Sequence, residues 1–355
     1  MKKSLLTFSL FSAVYTPLSD AAPLDALLDA IPHYRAGTAR LEASYDVVNN
    51  TLDVLNVRAK DPVYGGTNVG DYKGFHLRGG YGITDQLWVE GGWWQRNIAY
   101  RSETESITSW QTALQYRLTD RNRQEGQYAV RLSLWGNQAP IVNKASPTTL
   151  PGINLQSVSV AKPQDVQLQA DVMGTWPFFD NTTLLSAFAG VGVSHITVGA
   201  LTGKVNGCDY NIISNALGTS ASLVAPCGNL VSATLSSPST LAQWLSYNSR
   251  YYQLGGKVQW EHGKWQTILG YQYQYHNRDQ IDAAIVQRGG IAYKSNHIVI
   301  AEVAHQYSRG TTLFCRAQVM SNQFNGEMPF TYNSITASKF GQLYGFASFG
   351  ARFTF

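Results

Sequence analysis

Charged side chains recur at alternate positions in short segments spread along the chain: Arg40, Glu42, Arg78, Glu90, Arg117, Arg131, Asp171, Lys257, Glu302, Arg316 and Arg352. In an extended backbone that spacing sends them to one face and their apolar neighbours to the other. Gathered in a narrow space, they can do one of two things. They can neutralise one another as a salt-bridge lattice that stiffens the wall, since unpaired charges in a confined space are costly. Or they can form a charged constriction that selects small hydrophilic solutes, preferably anions given the arginines. Asp46 and Glu261 share this parity, Arg96 lies near its rim, and both readings stay open. Trp88, Trp94, Trp135, Phe188, Tyr251 and Phe346 have the same parity and fit a stacking track, an apolar route or simple filling.

Other chemistry finds less support. No CxxC, His-Cys cluster, Gly-rich phosphate loop or dinucleotide fingerprint stands out, so no metal and no cofactor is expected. His76 and His276 have inward parity and His297 lies at the end of a segment. None has a nearby Ser with an orienting carboxylate or amide in the sequence. Cys208 and Cys227 share one Gly/Ser/Asn-rich stretch and read as a disulfide closing a loop in an oxidising compartment, worth about 3 kcal/mol against the unfolded loop. Cys315 reads as a small apolar residue on an outward position.

The elements that would position these residues are strands. Only 14% of the 355 residues are charged, against about 25% in ordinary soluble domains. Mean hydropathy is nevertheless −0.18, because Gly, Tyr, Trp, Ser, Thr, Asn and Gln replace the missing charge. After the N-terminus no run of about 18 apolar residues offers a spanning helix. The 20 Tyr, 14 Phe and 9 Trp argue equally against disorder. A net charge of +4 is too weak and dispersed for a nucleic-acid surface.

From Thr38 onward, alternating segments of about ten residues follow one another, the length at which a tilted strand crosses a bilayer. The first places Leu41, Ala43, Tyr45 and Val47 opposite Arg40, Glu42, Ser44 and Asp46. The spacing predicts further strands over 72–83, 87–96, 107–118, 127–138, 165–176, 184–193, 250–261, 265–276, 297–306, 313–322 and 343–355. Short and long connections alternate, the longest being 195–249. The expected fold is all-β: an antiparallel up-and-down transmembrane barrel of about twelve strands, with ten or fourteen as alternatives. Tyr271, Tyr273 and Tyr275, with Tyr252, Trp260 and Trp265, read as girdle and lipid-facing wall.

The N-terminus carries Lys2 and Lys3, an apolar stretch over 5–15 and Ser19-Asp20-Ala21, the pattern of a Sec-type signal peptide over 1–21. Residues 22–37 then form a short periplasmic segment, with Leu24, Leu27, Leu28 and Ile31 at helical spacing. It is either a loose leader or a plug for the lower mouth.

At the carboxyl end, Phe349, Phe353 and Phe355 share a face opposite Ser348, Gly350, Arg352 and Thr354. Ser348, Gly350, Phe353 and Phe355 resemble the assembly signal of Gram-negative outer-membrane barrel proteins. That resemblance implies an outer-membrane location, folding by the barrel-assembly machinery, and contact with outer-membrane lipids and lipopolysaccharide. A porin-like channel for small solutes is the leading expectation, and a closed barrel acting through its external loops is the alternative. His305-Gln306-Tyr307-Ser308-Arg309-Gly310 superficially resembles the motif of outer-membrane phospholipase A. Arg309 stands where that motif has Asn, and the segment is expected in a periplasmic turn, so a lipid hydrolase is the lesser reading.

Overall fold

A computed structural model describes residues 35–49, 71–100, 103–119, 126–150, 153–178, 182–215, 218–223, 233–235, 246–278, 281–287, 289–322, 328–332, 341 and 343–355. The expected signal peptide and residues 22–34 lie outside the described residues. In chain order the strands are β1 (Ala39–Val48), β2 (Asp71–Gly82), β3 (Leu87–Tyr100), β4 (Glu103–Arg117), β5 (Gln127–Gln138) and β6 (Ile141–Leu150). Next come β7 (Ile153–Ala161), β8 (Gln164–Phe178), β9 (Thr183–Thr197), β10 (Leu201–Val205), β11 (Cys208–Asn215), β12 (Gly218–Leu223) and β13 (Ala233–Leu235). The last are β14 (Tyr247–His262), β15 (Trp265–Arg278), β16 (Ser295–Gln306), β17 (Thr311–Met320) and β18 (Tyr344–Thr354). A short helix, α1 (Ile281–Gln287), follows β15, and a 3-10 turn, η1 (Pro329–Thr331), precedes β18.

Twelve of these strands close an antiparallel barrel in the order β1-β18-β17-β16-β15-β14-β9-β8-β5-β4-β3-β2. The seam is made by β1, whose Leu41 stands opposite Phe353 on one side and Gly79 on the other. Burial alternates with strand period, as along Tyr72 to Arg78 and Gln127 to Trp135. The buried face looks inward. Outside, Leu41, Tyr45, Phe75, Leu77, Leu132, Leu168, Val191 and Leu254 are exposed around the wall, a belt of apolar surface that fits hydrocarbon and not water. Trp260 and Trp265 mark its short-turn end, and Tyr252, Tyr271 and Tyr275 lie toward the long-loop end.

All twelve barrel strands fall on the segments the alternation predicts, and several run further toward the long loops. The β3–β4 ladder continues through Asn97↔Ser106 to Tyr100↔Glu103, where a loop over 97–106 was expected. The larger correction concerns the segments 139–164 and 195–249, expected as irregular loops. They contain a six-stranded sheet in the order β13-β12-β11-β10-β7-β6. It prolongs the wall: Lys162 N–H donates to Pro140 O (2.9 Å), and Ala161 N–H donates to Ala200 O (2.8 Å). The β5·β8·β9 ladder is thus carried on as β6·β7·β10 past Pro140 and Pro163, with Lys162 turning the chain at φ +47°. Stretches such as Asn154-Leu155-Gln156-Ser157 and Thr219-Ser220-Ala221-Ser222 have little apolar alternation, so periodicity cannot reveal them.

Candidate functional site: the lumen and its external stopper

Toward the short-turn end, β16, β17, β18 and β1 bring two carboxylates and two guanidinia together. The Arg316 guanidinium reaches Glu302 at 2.8 Å and Glu42 at 3.2 Å, while Arg352 pairs with Glu42 at 2.6 Å and also with Glu302. Both carboxylates are almost fully buried, and two bridging guanidinia on each are what makes their burial tolerable. The Phe314 ring lies beneath both arginines, 4.8 Å from the Arg316 guanidinium carbon and 4.3 Å from that of Arg352. His76 extends the cluster upward: its Nε2 is 3.2 Å from Glu42 and its Nδ1 is 3.1 Å from Asp46. A second cluster forms on β2, β3 and β5, where Glu90 accepts from Arg78 (2.8 Å) and Arg131 (2.9 Å).

Midway along the lumen the wall becomes amide-rich. Gln169 and Gln253 donate to Asp171 at 2.7 and 2.8 Å, and Gln272 donates to Gln253 at 3.0 Å. Gln111 Oε1, Gln167 Oε1, Gln272 Oε1, Gln274 Oε1 and His276 Nε2 are buried polar atoms with no hydrogen-bond partner among the described residues. Some inward aromatic rings lie back on the wall, while Trp135 on β5 meets Tyr251 on β14, ring centres 6.2 Å apart. Trp94, Tyr251, Phe188 and Phe314 lie against Gly92, Gly192, Gly255 and Gly350, where a Cβ would overlap the ring. Glycine on the inner face makes the hollow in which each ring rests flat on the wall.

The long-loop end has the opposite character. Val48, Tyr72, Ile98, Ile107, Ile196, Tyr247, Ile298, Met320 and Tyr344 form an apolar ring at the inner strand ends. Two connections fill it. α1 offers Ile281, Ala284 and Ile285 on one helical face, all buried, and the η1 segment offers Met328, Phe330 and Tyr332. Polar pins hold both. Tyr247 Oη donates to Pro329 O (2.9 Å) and Tyr332 O (2.7 Å), and Phe330 N–H donates to Asp165 (3.4 Å). The Asp165 carboxylate also accepts from Asn137 and Gln167. Arg278 bonds Asp282 at 3.3 Å and stacks on Tyr332, 4.0 Å from the ring centre. Burial pushes the Tyr332 phenol above its ordinary pKa, so its hydroxyl stays neutral and accepts from Tyr293 N–H at 2.9 Å.

The structure places the charged residues singled out from the sequence, Glu261 apart, on the inner face. Glu42, Arg78, Glu90, Arg117, Arg131, Asp171, Lys257, Glu302 and Arg316 are buried, and Arg40 and Arg352 are half-buried toward the short-turn end. Glu261 is the exception: it is exposed at the end of β14, beside Gln259 and Gln266. Sequence reasoning missed the stopper. The spacing of Ile281, Ala284 and Ile285 signals α1, but the one-turn η1 segment has no period to read. Cys315 is free and exposed on the outer wall, while Cys227 lies outside the described residues. At the carboxyl end, Ser348 is buried inside, Gly350 accommodates Phe314, Phe353 pairs with Leu41 and Thr311, and the Phe355 side chain is exposed. His305 packs against Trp265 with ring centres 4.6 Å apart and planes tilted by 56°, and Ser308 lies in the turn between β16 and β17.

No protein-family model matches the chain, and no curated protein is similar to it in sequence. Its fold is similar to solved outer-membrane structures. The translocator domain of the autotransporter NalP from Neisseria meningitidis aligns with a TM-score of 0.50 and 11% identity, over 93% of this chain and 92% of that one. The β domain of the Bordetella autotransporter BrkA aligns at 0.47 and 9%, over 90% and 100% of the two chains. The Pseudomonas putida toluene transporter TodX aligns at 0.42 and 10%, over 95% and 94%. Closed topology, lipid-facing belt and this likeness define the class: an outer-membrane β-barrel. Within that class the chain is marked by an arginine-carboxylate lumen and an apolar stopper made by α1 and η1.

Proposed function

We propose that the chain is an outer-membrane channel for small hydrophilic solutes, with anions favoured, held closed at its external mouth by its own loops. One observation carries this reading: the wall is polar along the lumen, and the apolar seal is completed by loop residues around α1 and η1. A plug on loops can leave without unpairing a barrel strand, and external loops belong to the least stable part of such a fold. Once it moves, a solute meets the amide band and then Arg78 and Arg131, whose guanidinia favour anions. Sec export over 1–21, the Cys208–Cys227 disulfide and recognition of Ser348, Gly350, Phe353 and Phe355 by the barrel-assembly machinery belong to the same proposal.

Single-channel conductance and ion selectivity of the refolded, heat-modifiable protein in planar bilayers test it. Brief openings with anion preference, shifting toward cations in Arg78→Gln/Arg131→Gln, are expected. Folded protein that never conducts, even when the plug residues are truncated, would replace the channel with a sealed barrel acting through its external loops.

A further inference from the structure

The outer wall carries a polar feature that the lumen reading does not use. On β8, β9 and β14, toward the long-loop end, a groove of about 390 Å³ is lined by Val166, Leu168, Val193, His195, Asn248 and Arg250. Strand register arranges them in two rows. Val166, His195 and Asn248 stand side by side, and Leu168, Val193 and Arg250 stand side by side one step nearer the membrane centre. Val166, Leu168 and Val193 are about half exposed, as side chains in contact with acyl chains would be. His195 Nδ1 lies 2.7 Å from Asn248 Oδ1, which fixes the imidazole and leaves Nε2 facing away from that bond.

Arg250 is the telling residue. It is exposed on the outer face and makes no ion pair or hydrogen bond among the described residues. Two positions below it on the same face, Tyr252 pairs with Tyr275, both exposed, at the level where tyrosines mark the headgroup boundary. An unpaired guanidinium on a lipid-facing wall is unfavourable unless an anion meets it, and guanidinium matches phosphate in a bidentate fork.

We propose that this groove binds a phosphorylated, acylated glycolipid of the external leaflet, of the lipid A type. Its phosphate is held by Arg250 with His195, a sugar hydroxyl or second phosphate oxygen meets Asn248, and an acyl chain lies along Leu168, Val193 and Val166. The inference depends on the long-loop end being external and not on whether the lumen conducts.

Native mass spectrometry of the full refolded chain, titrated in micelles with bisphosphorylated lipid A, tests it. Dephosphorylated lipid A and inorganic phosphate are the comparison probes. One lipid A is expected to stay bound to the wild type, with Arg250→Gln weakening retention about tenfold, the loss of one charge-assisted contact. Arg250→Lys should keep most of it, and heat-modifiable migration reports folding. If Arg250→Gln does not fold, His195→Ala and Asn248→Ala in the same titration take its place. Equal retention of phosphorylated and dephosphorylated lipid, or unchanged retention in the folded variants, overturns the proposal. Binding of inorganic phosphate alone as strong as that of lipid A overturns the glycolipid assignment.

Discussion

Phe330 is the side chain by which the stopper is best interrogated. It is 3% exposed, sits on η1 outside the barrel strands, and packs among their apolar ends. Taking a phenylalanine side chain out of water is worth about 2–3 kcal/mol, and Phe330→Ala removes most of that from the docked state only. At about 1.4 kcal/mol per factor of ten, the undocked population rises roughly 30- to 150-fold. The polar pins survive, because Tyr247 bonds the backbone carbonyls of Pro329 and Tyr332, and Asp165 accepts from the Phe330 N–H. The barrel should therefore fold as before while the mouth opens more often. Open-time fraction in planar bilayers, supported by liposome swelling with small solutes, measures this directly. An open fraction within twofold of the wild type, in protein of unchanged heat-modifiability, refutes the idea that the η1 segment gates. Loss of the folded form itself would show the stopper to be part of the fold's core and not a separable plug.

Further outcomes follow from the lumen. Glu42→Gln leaves Arg316 and Arg352 to share Glu302 and takes a carboxylate from His76, so denaturant unfolding should show a loss of about 3–5 kcal/mol. Gly192→Ala puts a methyl where the Tyr251 ring lies, costing about 1–3 kcal/mol by overpacking; in a Phe330→Ala background it should also lower open-state conductance as the ring is pushed into the bore. Deleting Phe355 removes the two backbone bonds it makes with Ala39 at the seam, at 2.9 and 3.2 Å, and should lower the assembled fraction in the outer membrane without changing the ion selectivity of what assembles.

The barrel was legible because its physics is two-sided. A strand such as Leu41 to Val47, with oil on one face and a polar interior on the other, must alternate, and each of the twelve does so over enough residues to be read. The same alternation placed Arg78, Arg131 and Glu302 on the inner face. What it could not give was which charges meet. Glu42 and Arg352 lie at opposite ends of the chain and become neighbours only when β1 closes on β18. β10 and β7 escaped notice because polar pairs such as Ser159 and Thr202 leave no apolar period. The stopper escaped because α1 is only seven residues long, with Ile281, Ala284 and Ile285 its whole apolar pattern, and a single 3-10 turn carries no period.

On the channel proposal, the two readings of the charged lumen apply to different sectors of one wall. Glu42, Glu302, Arg316 and Arg352 belong to β1, β16, β17 and β18, the strands around the seam where the first strand meets the last. Cross-strand opposition pairs Glu42 with Arg352 and Glu302 with Arg316, so each charge is answered by a neighbour and the set is nearly neutral. A neutral cluster of that kind clasps the closure and contributes little field to the bore. Elsewhere on the wall, Arg78 and Arg131 both pair with Glu90. Asp171, opposite Arg131 in register, has its carboxylate engaged by Gln169 and Gln253. Arg78 stands opposite Glu42 on the strand beside the seam, and Arg131 stands opposite Asp171 on β5, further round the wall. Stability should respond to changes at Glu42 and Glu302, and ion preference to changes at Arg78 and Arg131. A lattice that merely filled the barrel would couple the two responses, because removing any member would disturb the same packing.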